Sequence, residues 1–216
     1  MTEILKHRLA KYGNDLKLVA RFLIDYRDIF SLSYLYRLMH EWLVEEGYAL
    51  RADEEFPEVF YLQRDTPHGG EYWIRWRTMK KPYNTSLWRY TLDIDMHAYT
   101  MKKAELILAG KKYEVDKGEI EIEVQGNLIV DPDKKIENLP LNKLIGFKPL
   151  LTKWLLRKRF EDHKNTLYKD VYRFQDAIKT QEKAIKKLKQ EGGTKDLPEY
   201  EKHLSSYKAG KPWRWK

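Results

Sequence analysis

The chain has no cysteine. That excludes disulfide cross-links and every thiolate metal site, and it agrees with a reducing compartment. Long apolar runs are missing too, since no window approaches the ~20 residues that a membrane-spanning helix needs. The opening segment MTEILKHRLAKYGNDLK carries a charge every few residues, where a signal peptide needs an unbroken apolar region. Together these absences predict a cytoplasmic protein. Glycine is sparse, at 11 of 216 residues, and HGGE at His68–Glu71 has neither the spacing nor the Lys-Ser/Thr ending of a phosphate-binding loop. It reads as a turn.

Charge is abundant and unevenly placed. The net charge is +8, but residues 143–216 hold 20 Lys+Arg against 9 Asp+Glu, a net of +11, which leaves residues 1–142 with 21 against 24, a net of −3. The last third is a basic module. Such asymmetry points to nucleic acid or an anionic membrane surface, with a solvated lysine-rich helix as the plain alternative. At this length a folded chain buries about 70% of the surface exposed by its unfolded form, so it needs no staple.

Hydrophobic spacing divides the chain into three regions. From Thr2 to Gly47 the period is helical: Leu5, Leu9 and Tyr12, a break at GND, then Leu16, Val19, Ala20, Leu23 and Ile29. A third helix starts at Ser31 or Ser33 as N-cap, runs through Leu35, Leu38, Met39, Trp42 and Leu43, and stops at Gly47. Beyond Tyr48 the period becomes two. EYWIRWR alternates around Tyr72, Ile74 and Trp76, WRYTLDIDMHAY around Trp88, Tyr90, Leu92, Ile94 and Met96, and GEIEIEVQGNLIVD around Ile120, Ile122, Val124, Leu128 and Val130. EVFYLQR, and a pair AELIL and KKYEV joined through Ala109 and Gly110, bring the count to about six strands in an antiparallel meander. On the outer face Arg75, Arg77 and Arg89 are set among Glu119, Glu121 and Glu123, which predicts cross-strand ion pairs.

After Pro149 a long helical pattern begins. Its apolar residues settle into steps of four and three at Leu167, Val171, Phe174, Ile178, Gln181, Ile185 and Leu188, a heptad-like seam through which the chain would self-associate or dock a protein partner. Unbroken to Glu191 the helix would span about 63 Å, against a body of roughly 45 Å for this chain length. The tail turns back at EGGT in a helical hairpin, with Asp196 and Glu199 in a capping-box pattern. The expected fold is therefore α+β: residues 1–149 form N-terminal helices and an antiparallel meander sheet of about six strands. Residues 150–216 form a long basic helix, packed on one sheet face and ending in a helical-hairpin tail.

FSLSYLYRLMHEWLVEEGY, the strands EYWIRWR and WRYTLDIDMHAY, the hairpin GKKYEVDKGEIEIEVQGNLIVD and the helix RKRFEDHKNTLYKDVYRFQDAIK together resemble a family of uncharacterised archaeal proteins over roughly residues 30–180. The resemblance implies no activity and no catalytic residues. Helices, meander and final long helix are also similar in outline to helix-grip, lipid-binding folds. Those folds open with a strand ahead of the first helices, whereas the spacing here reads as helix from Thr2 onward.

Few constellations carry chemistry. HEWLVEE starts like a zinc-protease helix, but the position four residues after His40 is Val44, so no second histidine shares its face. Asp93, Asp95 and His97 line one strand face, spaced about 6.8 Å from one to the next, so one cation would reach two of them at most, and the nearby arginines account for the carboxylates as salt bridges. No serine has a nucleophile-elbow context. No catalytic residue, metal site or cofactor is expected. LLTKWLLRKRF is amphipathic and cation-flanked, and three fates are open to it: a core helix over the sheet, a membrane-surface helix, or a polyanion grip. For the last, Arg157, Lys158, Arg159, Lys179, Lys183, Lys186 and Lys187 would contact phosphates, and Trp213 and Trp215, set among Lys211, Arg214 and Lys216, would stack on bases or insert at an interface. The first expectation is thus a non-enzymatic binding protein for RNA, ribonucleoprotein or another polyanion. A pocket for a hydrophobic ligand between sheet and long helix, lined by Tyr72, Trp76, Trp88 and Tyr90, is the second.

Overall fold

The stretch LKLVARFLIDYRDIF is a strand, β1 (Leu16–Phe30), in which Ala20, Phe22, Ile24 and Tyr26 point inward and Arg21, Leu23, Asp25 and Arg27 outward. The helical reading of this segment is corrected, and the cause is local. A register shift between Leu18 and Ala20 inserts one residue, so alternation fails there: Leu18 stands exposed while the adjacent Val19 and Ala20 both pack toward the core, as neighbours on a helical stripe would. Leu23 completed the false stripe, yet it stands on the outer face, 60% exposed. The strand that a helix-grip outline places ahead of its first helix is therefore present.

The computed structural model describes residues 11–50, 55–83, 85–108, 111–136, 138 and 156–190. After β1 come α1 (Leu32–Glu45), β2 (Glu58–Thr66), β3 (Gly69–Arg77), β4 (Trp88–Leu108), β5 (Lys111–Val130) and α2 (Arg157–Gln190). The fold is α+β. The described strands make one antiparallel sheet of five, in the order β1-β5-β4-β3-β2, so the meander β2 to β5 returns to lie beside β1. AELIL and KKYEV are not a separate pair: they are the far ends of β4 and β5, which pair from Trp88↔Val130 out to Leu108↔Lys111 with one irregularity between Tyr99 and Lys102. Alternation slips there, and the sequence pattern breaks for that reason, not because the strands end. Of the first helix expected before Gly13, only Lys11 and Tyr12 are described, and they are helical; the rest of it and the C-terminal hairpin lie outside the described residues.

Helix α1 follows its sequence signals. Ser31 accepts a hydrogen bond from the Tyr34 amide at 3.3 Å, and Gly47, at φ +75°, takes the left-handed conformation that ends the helix. Leu35, Met39 and Leu43, four residues apart, are buried on one stripe. The Asp116 carboxylate accepts from the Leu32 amide at 3.2 Å, tying the helix start to β5.

Both helices cover the inner face of the sheet. Leu167, Val171, Phe174 and Ile178 of α2 are buried in that core with Phe22, Ile24, Leu92, Ile94, Ile122 and Val124. That half of the heptad-like seam is thereby consumed by the protein's own fold and is not available to a partner. Gly126 on β5 admits the helix at close range, because a Cβ there would overlap Cγ2 of Val171. Trp76 meets Tyr36 and Phe56 edge-on at centroid distances of 4.8 and 4.9 Å, and Trp42 lies 4.7 Å from Phe174, so aromatic contacts join sheet, α1 and α2. Among the described residues no helix is long and apolar enough to cross a membrane.

Candidate anion-binding site at the start of the long helix

The arginines of the sheet have carboxylate partners. Arg21 pairs with Glu123 and Arg27 with Glu119, each at 3.1 Å, Arg77 with Asp95 at 2.8 Å, and Arg89 with Asp133 at 3.5 Å. Ion pairs do cross the strands, but with other partners than the sequence suggested: Glu123 and Glu119 take Arg21 and Arg27 of β1, Arg75 and Arg77 take Asp95, and Arg89 takes Asp133 beyond β5. The three side chains Asp93, Asp95 and His97 go to separate partners: buried Asp93 accepts from Asn127 Nδ2 at 3.2 Å, Asp95 holds Arg77, and His97 Nε2 lies 2.9 Å from Glu71 with its ring stacked 3.6 Å from Trp73. The His40 ring lies tilted against Phe56, with centroids 4.2 Å apart.

Glu71 collects three donors, from Arg64, His97 and Trp73. Arg64 chiefly, then His97, holds its carboxyl down from the ordinary value of 4.5 to about 2. A folded-state value below the unfolded one contributes stability that is present above pH 4.5 and lost as pH falls toward 2. Glu71→Gln is therefore expected to melt below the parent at neutral pH, with the difference in melting temperature constant down to the ordinary glutamate range and closing below it. A difference that stays constant through the acid range would show that the ionised carboxylate is not what holds these three donors.

The start of α2 is different. Arg157, Lys158 and Arg159 are exposed in the first turn, which holds no acidic residue, and no ion pair involves any of them among the described residues. The turn is anchored by its apolar side, where the Phe160 amide donates to the Leu156 carbonyl at 2.8 Å and the Phe160 ring lies 5.7 Å from Trp88. One turn on, His163 sits 5.3 Å from Trp88, and its Nδ1 is 2.7 Å from the Tyr90 hydroxyl. Burial pushes the Tyr90 hydroxyl up to about 12, helped by the Asp170 charge, and burial also holds His163 below its ordinary value. Both are thus neutral near pH 7, and the imidazole tautomer decides whether Tyr90 donates to Nδ1 or accepts from it.

Beside this turn opens a cleft of about 310 Å³ between the start of α2 and the segment before β4, lined by Tyr83, Thr85, Trp88, Arg159, Asp162 and His163 together with Leu87 and Leu156. Deeper along α2, buried Asp170 accepts from the Tyr48 hydroxyl at 2.9 Å and from Lys80 at 3.4 Å, and Arg173 pairs with Glu46 and Asp170. Burial, reinforced by Asp170, drives the Tyr48 hydroxyl well above its ordinary range.

Of the cations expected from sequence, the structure brings Arg157, Lys158 and Arg159 into one turn. Lys179 lies six turns further on and is half-buried. Lys183, Lys186 and Lys187 belong to the last part of α2, where side chains are outside the described residues, as are Trp213 and Trp215. Trp76, Trp88 and Tyr90 are buried against α1 and α2. Sequence reasoning missed His163, Asp162 and Tyr83. One signal was available: His163 precedes Leu167 by four residues and so extends the stripe Leu167, Val171, Phe174 and Ile178 toward the helix start. Neither a scan against protein-family models nor a search of curated proteins gives a match, so function rests on the chemistry of the site.

Proposed function

We propose that this chain is a binding protein for RNA, alone or within a ribonucleoprotein, and that the start of α2 is its phosphate-contacting surface. The observation that carries the reading is the placement of Arg157, Lys158 and Arg159. The N-terminus of a helix carries the positive end of the macrodipole, where a cation costs about 0.3–1 kcal/mol and an anion gains as much. Three consecutive cations there, exposed and without a carboxylate partner among the described residues, oppose the stability of the helix. The same backbone amides and side chains together attract phosphate. The sheet arginines, by contrast, are neutralised within the fold. Four further lysines, Lys179, Lys183, Lys186 and Lys187, extend the positive charge along α2.

Fluorescence anisotropy of a labelled single-stranded RNA titrated with the full chain at low salt tests the reading, with anionic phospholipid vesicles run in parallel by sedimentation. Saturable RNA binding that exceeds vesicle binding is expected. Vesicle binding without RNA binding would assign the surface to a membrane, and binding of neither would end the proposal.

A further inference from the structure

We propose that the cleft beside the first turn of α2 is a pocket for one nucleotide unit, a nucleoside monophosphate held by stacking and by a charge at each end. The inference deepens the polyanion reading and rests on it, because Arg159 belongs to both the cationic turn and the cleft wall.

Three features narrow the ligand. First, the lining carries opposite charges, Arg159 and Asp162. A purely apolar ligand would strip water from both without replacing it, which is costly. The occupant must therefore bring an anion to the arginine and hydrogen-bond donors to the aspartate, and a nucleotide carries a phosphate together with sugar hydroxyls or an exocyclic amine. Second, Tyr83 lines the cleft while remaining 91% exposed. Its ring has almost no packing to lose and can cover a base, whereas Trp88, which also lines the cleft, is fixed in the core. Third, His163 Nδ1 is occupied by the Tyr90 hydroxyl, and no other hydrogen bond to the ring exists among the described residues. Nε2 is therefore left for the occupant, a neutral ring nitrogen that donates in one tautomer and accepts in the other. The volume, about 310 Å³, is at the small end of ligand sites, in keeping with a single nucleotide unit.

The same chemistry can be supplied by a free mononucleotide or by a single unstacked residue of an RNA strand. Calorimetric titration of the full chain with adenosine and uridine 5′-monophosphates, the free nucleosides and inorganic phosphate reads the unit itself. Competition of the monophosphates against the labelled RNA reads the strand. At least one monophosphate is expected to bind saturably, with its nucleoside and phosphate each at least about tenfold weaker, the ratio that ~1.4 kcal/mol of lost contact gives. Tyr83→Ala and Arg159→Gln, both at exposed positions, should each weaken the monophosphate, the tyrosine variant by roughly 5- to 100-fold as for the loss of one stacked ring. Displacement of RNA by the monophosphate would place a strand residue in the cleft, and monophosphate binding without displacement would make the free nucleotide the ligand. RNA binding with no monophosphate binding and no effect of Tyr83→Ala on the RNA would overturn the cleft while leaving the cationic turn intact. Monophosphate binding unchanged in both variants would overturn it equally, and failure of RNA and monophosphate alike would remove both readings.

Discussion

Phe174→Ala is expected to lower the free energy of unfolding by ~3–5 kcal/mol, the range for truncating a buried phenylalanine. Phe174 is fully buried, midway along the stripe that α2 lays on the sheet, and its ring meets Trp42 of α1 at 4.7 Å. Three elements converge there, so the neighbours are held from several sides and cannot collapse into the space left behind. The loss is a large share of the ~5–15 kcal/mol that holds a typical domain together. Urea denaturation should show a lower midpoint with an unchanged slope, since the surface exposed on unfolding is nearly the same. A seam used for self-association would give the opposite pattern, with stability little altered and a change in sedimentation. A loss under ~1 kcal/mol, the usual range for surface substitutions and milder, would contradict the packing of α2 described above.

Reversing Arg157, Lys158 and Arg159 to glutamate should act in two opposite directions. Binding to RNA at low salt is expected to fall at least ~100-fold, and the slope of log K against log salt should become shallower by roughly 3, one for each phosphate contact removed. Stability should hold or rise, because three carboxylates at a helix N-terminus each gain about 0.3–1 kcal/mol from the dipole where three cations lost it. All three side chains are exposed and form no ion pair among the described residues, so the reversal breaks no ion pair there. A variant that is at least as stable and no longer binds would separate function from folding at this turn. A variant that binds as the parent does would shift the phosphate contacts elsewhere along the chain.

How legible the architecture is in the sequence depends on how local its cause is. Helix α1 is plain, because its cap, its stripe and Gly47 all lie within a few residues of one another. The inward residues of β3, β4 and β5 are equally plain, since alternation is a property of each strand alone. Strand β1 is hidden by one inserted residue at the Leu18/Ala20 shift, which sets Val19 and Ala20 side by side against the core and breaks the period of two. The six-strand count fails at a similar irregularity between Tyr99 and Lys102. The candidate site is half legible. Arg157, Lys158 and Arg159 are adjacent in sequence and stand out as a charge run. The pair Tyr90 and His163 is 73 residues apart, and Tyr48 and Asp170 are 122 apart. Such pairs exist only once α2 has docked on the sheet, and no local pattern encodes docking. The neutral state of His163 likewise follows from burial beside Trp88 and Tyr90, not from its neighbours in the chain.

The salt dependence of RNA binding by the full chain tests the central claim most directly, because a cationic surface that grips phosphates must release counterions as it does so. With about five phosphates neutralised, log K is predicted to fall with log salt at a slope near −4.5 for a duplex and nearer −3.5 for a single strand. Binding absent even at the lowest salt, or present with a slope near zero, would contradict the account.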